Sequence, residues 1–156
     1  PEADYATVAA FQLKTSQLSR LTSSAGRQLR EANNKLRYIK AALLNTSNVS
    51  SSLYESHADL SKRLFDLGTQ LNGDRTRGNK DESTSPSIMS RIGGVIWGHW
   101  NTTQLPTETQ KRSIALAESE FEEYLKMAGA FLSDLKAYEM EIEKAGAPYT
   151  PGRGME

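Results

Sequence analysis

Between Ile114 and Ile142 the apolar side chains recur at alternating intervals of three and four: Ile114, Ala117, Phe121, Tyr124, Ala128, Phe131, Leu135, Tyr138, Ile142. Only a helix puts such a series on one face, and a face this long must be covered by other helices. Thr107-Glu108-Thr109-Gln110 fits a capping box, in which the threonine hydroxyl and the glutamine side chain satisfy each other's free backbone amides. Gly146 and Pro148 stop the pattern, so a helix over 107–145 is predicted, about 60 Å long at 1.5 Å per residue.

The same alternation opens the chain. Val8 and Phe11 lead into Leu18, Leu21, Ala25, Leu29, Ala32, Leu36, Ile39 and Leu43, which predicts a helix over 4–45 with Asp4 as its cap. A second cap at Ser52, with Glu55 reaching back, starts a helix over 52–72 whose stripe is Leu53, His57, Leu60, Leu64, Leu67 and Leu71, ended by Asn72-Gly73. Residues 73–85 contain no large apolar side chain and mix both charge signs, the pattern of a mobile loop. Ser85-Pro86 then opens a short helix over 86–100, proline serving at the first helical position.

Two long rods flank two short helices of about 31 and 22 Å, which together match one rod. The predicted fold is all-α: an up-down-up helical bundle whose middle column is broken in two, the alternative being four helices packed at one end with the far ends of the rods left as a two-helix stalk. Residues 4–45 carry seven basic and two acidic side chains, and 107–145 nine acidic and five basic, so the two long helices are expected side by side. At 156 residues one domain is expected, burying ~70% of its unfolded surface. Pro1 in place of an initiator methionine and the abrupt end after Gly154-Met155-Glu156 read as an excision from a larger protein.

Chemistry is sparse. Basic and acidic residues balance at nineteen each, which disfavours nucleic acid as a partner, and no apolar run reaches the length of a membrane span. Cysteine is absent, which removes thiol nucleophiles and thiolate metal sites. His57 falls on an apolar stripe and reads as a half-buried, hydrogen-bonded side chain. No paired-histidine or Glu-x-x-His spacing occurs, so no metal and no cofactor is expected. Glu120, Glu122 and Glu123 read as a solvated face; paired with His57 they form the weakest of the enzymatic options.

The segment "PSIMSRIGGVIWGHWNTTQLPTETQ" holds both tryptophans. Gly93-Gly94 costs up to about 2 kcal/mol of helix propensity, which points to a close backbone neighbour or a bend. Trp97 and Trp100 share a side; the first expectation is that they seal the end of the bundle. The alternative is an exposed aromatic platform of Trp97, His99 and Trp100, with Tyr149 nearby, for a glycan or a peptide.

That segment, together with "LFDLGTQLNGD" before it and "AGAPYTPGR" after it, resembles the C-terminal helical region of large bacterial BNR-repeat proteins, sortilin-like β-propellers often labelled glycosyl hydrolases. The likeness covers residues 64–153 and involves five elements in order: a helix ending in Leu-Asn-Gly-Asp, a polar loop, a glycine-rich Ser-Ile helix with tryptophan, a Pro-Thr-x-x-Gln helix start, and Gly-Ala-Pro-Tyr-Thr-Pro-Gly. It implies a secreted or periplasmic bacterial setting and a parent β-propeller as partner. The family's catalytic work is attributed to the propeller and its Asp-boxes, none of which occurs here, so no catalytic residue carries over. The resulting expectation is a non-catalytic accessory domain that packs on its parent or self-associates.

Overall fold

The computed structural model describes residues 2–73, 86–99 and 102–147. It is an all-α bundle of two long and two short helices: α1 Glu2–Leu44, α2 Ser51–Asn72, α3 Ile88–His99 and α4 Glu108–Lys144. No strand occurs among the described residues. Helix ends lie within two residues of those predicted from sequence. Beyond Gly73, the loop predicted over 73–85 lies outside the described residues.

The apolar spacing is a strict heptad pattern. In α1 the buried or half-buried series is Val8, Phe11, Thr15, Leu18, Thr22, Ala25, Leu29, Ala32, Leu36, Ile39 and Leu43, with steps of three and four throughout. A period of 3.5 keeps one seam turned toward its neighbours over many turns. Leu21, expected on this seam, is instead 58% exposed, and Thr22 takes its place at 1%. Alternation is preserved only by the threonine, whose hydroxyl donates to Ser19 O at 2.9 Å and so enters the core satisfied. Thr15 does the same with Phe11 O.

Of the predicted N-caps only that of α4 is where it was expected, and Asp4 lies inside α1 instead of capping it. At α4 the box closes as predicted: Gln110 N donates to Thr107 Oγ1 at 3.1 Å and Thr107 N to Gln110 Oε1 at 2.9 Å. At α2 the cap is Ser50 rather than Ser52, since Leu53 N reaches Ser50 O and Ser52 N reaches Ser50 Oγ. At α3 the cap is Ser87 rather than Ser85, with Ser90 N donating to Ser87 Oγ, so Pro86 precedes the helix instead of opening it. Gly73 and Gly146 both hold positive φ. After α4, Ala147 N bonds Ile142 O and Gly146 N bonds Glu143 O, a Schellman closure with Ala147 and Ile142 both buried.

The chain packs as two compact units, residues 1–26 with 68–125 and residues 27–67 with 126–156. In the first, α1, α3 and α4 form a triangle. Gln12 Nε2 donates to His99 O, Lys14 pairs with Glu118 at 2.8 Å and Arg91 with Glu120 at 3.2 Å, one contact for each pair of helices. In the second, α2 takes the place of α3: His57 bonds Leu36 O, Arg63 pairs with Asp134, and Lys35 with Glu139 at 3.3 Å. The opposite charges of the two long helices thus meet in each unit. Within the second unit α2 runs antiparallel to α4, Leu53 lying by Tyr138 and Arg63 by Asp134.

Candidate functional site

Two places gather polar side chains, one in each unit. In the first, the heptad phase of α3 (Ile88, Ile92, Val95, His99) drives His99 inward, where it is 3% exposed. Its Nε2 lies 2.8 Å from Gln104 O. A carbonyl only accepts, so Nε2 carries the proton and Nδ1 is left as a buried lone pair with no hydrogen-bond partner. Phe11 meets the imidazole edge-on at 5.3 Å between ring centres. Gln12 spans His99 O and Thr102 O, tying the C-terminus of α3 and the following turn to α1. The cavity beside His99, lined by Phe11, Gln12, Thr15, Val95 and Ile96, is ≈ 10 Å³, too small for any ligand larger than a water. No periodicity marks Gln12 in the sequence, because its role depends on a carbonyl 87 residues away.

Trp97 lies on the other side of α3. It is 93% exposed, so it does not seal the bundle, and it shares no surface with the buried His99. Heptad geometry explains both: the positions flanking Trp97, Val95 and His99, are the ones turned inward. Of the predicted platform, Trp97 is thus in the open, His99 is core, and Trp100 and Tyr149 lie outside the described residues. Gly93 and Gly94 also face outward, and a Cβ at either would meet nothing within 4 Å. The close backbone neighbour expected there is absent among the described residues, and α3 runs through both glycines without interruption.

In the second unit an open depression of ≈ 470 Å³ lies along α2 and α4. Arg63 lines it, 2.8 Å from Asp134 and 3.9 Å from Asp59, with its guanidinium 5.7 Å from the Phe131 ring centre. Tyr138 lines it too and donates to Leu53 O at 2.7 Å. Burial, then the neighbouring Glu141 and Tyr54, push the Tyr138 phenol up to about 12. Arg63 is its one cation among the carboxylates of Glu55, Asp59 and Asp134, and its pair with Asp134 holds α2 to α4.

His57 is half-buried, as expected. Its Nε2 lies 2.7 Å from Leu36 O, and Ser61 Oγ is 3.4 Å from Nδ1. A serine beside an oriented imidazole is the outline of an activated nucleophile. Here the orienting group is a neutral carbonyl rather than a carboxylate, the contact is the i,i+4 neighbour on one helix, and Ser61 lines neither cavity. Of the three glutamates expected to form a solvated face, Glu122 and Glu123 are exposed and Glu120 is held by Arg91. Among the described residues no group of three or more His, Asp or Glu side chains is placed to hold a metal, and no helix is long and apolar enough to cross a membrane.

In comparison with known proteins, no family model, no curated relative and no solved structure matches the chain.

Proposed function

We propose that the chain is a non-catalytic helical accessory domain of a secreted or periplasmic bacterial BNR-repeat, glycosidase-like protein, acting by packing against its parent β-propeller or by self-association. One observation carries the reading: the inward imidazoles and the Tyr138 phenol are spent on backbone carbonyls (Gln104 O, Leu36 O, Leu53 O), the use made of polar groups in a scaffold. The setting rests on the sequence resemblance over residues 64–153. The test is to remove residues 1–156 from the parent protein. A lower melting temperature or a changed assembly state, with turnover per folded molecule unchanged, is the expected result. Turnover by the chain itself that a single substitution abolishes refutes it.

The exposure of Trp97 favours a second reading, a glycan- or peptide-binding module centred on Trp97 and Trp100. A bare indole on a glycine-flattened helix face is a stacking surface for a sugar ring. Titration with oligosaccharides should then shift tryptophan emission saturably, and Trp97→Ala should remove the shift. Emission indifferent to every oligosaccharide tried rules it out.

A further inference from the structure

The second unit carries a charged face that its own folding does not use. The α1 portion of that unit, residues 27–44, contains five basic side chains and one acidic one. Of the five, Lys35 is engaged by Glu139. Arg27, Arg30, Arg37 and Lys40 are exposed and make no ion pair or hydrogen bond with any described residue. Their steps of three, seven and three keep them off the core positions Leu29, Ala32, Leu36 and Ile39, with Lys40 nearest the seam as the i+4 neighbour of Leu36. They form a ridge about 20 Å long at the helical rise. The single acid, Glu31, stands one turn from Arg27, about 40° round the helix, and borders the ridge on that side, while Arg30 and Arg37 lie clear of it.

We infer that this ridge is a docking surface for an acidic helix of a partner protein, with carboxylates repeating at seven-residue spacing. Charge complementarity selects an anion, and three of the four cations are arginines, whose planar fork takes a carboxylate in two parallel hydrogen bonds. The heptad step selects a helix, since a second helix laid alongside presents side chains at the same interval. A nucleic acid fits less well: the chain as a whole is neutral, and neutral chains lack the field that draws in a polyphosphate. A lipid surface fits less well because the apolar seam of α1 is already buried, leaving Leu44 as the single exposed large apolar side chain of residues 27–44. The inference deepens the reading of the chain as a packing module by naming the face and the chemistry of what docks.

The test uses the full chain and a synthetic helical peptide with glutamates repeating every seven residues on one face, beside a scrambled peptide of the same composition. Binding that weakens with salt, at least about tenfold tighter than to the scramble, is expected, and Arg27→Gln/Arg30→Gln/Arg37→Gln should weaken it about tenfold. Lys111→Gln/Arg112→Gln, on the exposed start of α4, should leave it unchanged. The substituted positions are exposed, and an unchanged helical circular dichroism spectrum establishes that the triple variant folds; single Gln variants serve if it does not. Equal binding of the scramble, tighter binding of duplex DNA, heparin or anionic phosphatidylglycerol vesicles, or no binding at all overturns the inference. Those results leave the deletion experiment on the parent untouched, so failure of the ridge and failure of the packing role are told apart.

Discussion

At the scale of single residues, the core polar groups have unequal stakes. Tyr138 is 3% exposed, yet its hydroxyl bonds a carbonyl in the first turn of α2 that keeps its own helical partner. Tyr138→Phe should therefore cost only about 1 kcal/mol in urea denaturation. His99 is different, because it fills volume between α1 and α3 and also satisfies Gln104 O. His99→Ala should cost roughly 2–4 kcal/mol, combining a cavity with an orphaned carbonyl. A loss under 1 kcal/mol would mean that the imidazole is not packed as described.

At the scale of elements, the helix ends and α3 make opposite predictions. Thr107→Ala removes the hydroxyl that accepts from Gln110 N, while the backbone N–H that donates to Gln110 Oε1 stays, and should lower stability by about 1 kcal/mol, measured as a shift in the denaturation midpoint. Gly93→Ala and Gly94→Ala should raise it, each by up to about 1 kcal/mol, because the new methyl meets open space in a helix that glycine disfavours. Loss of stability in either alanine variant would show that something does approach that face. The outward glycines beside Trp97 leave that face flat, and the close backbone neighbour expected from sequence is not there among the described residues.

At the scale of the whole molecule, alkaline pH is the condition that reaches both units. Burial pushes the Tyr124 phenol in the first unit and the Tyr138 phenol in the second up from 10.0 to about 12. A phenol is neutral below its pKa, so the unfolded chain loses these protons first as pH rises. Their contribution is whole below about pH 10 and disappears progressively between about pH 10 and 12. The loss is on the order of 2 kcal/mol per tyrosine, and Tyr138→Phe should flatten the descent of the melting temperature over that window. A melting temperature constant to pH 12 would contradict the burial of both rings.

The existence, order and type of the four helices were legible in the sequence because apolar spacing and capping chemistry are local: Thr107 needs only Gln110, and Gly146 only the turn before it. One position of the α1 seam was not, since choosing Thr22 over Leu21 requires knowing which side is covered, and a hydroxyl that returns to its own helix hides its polarity. The placement of Trp97 and His99 shows the same division. Both stand in one short apolar run, and which of them faces water was decided only when Phe11 and Gln12 arrived from a distant part of the chain. Local periodicity determines that helices form; burial, which is a property of what packs against them, determines which of their side chains are left to meet a partner.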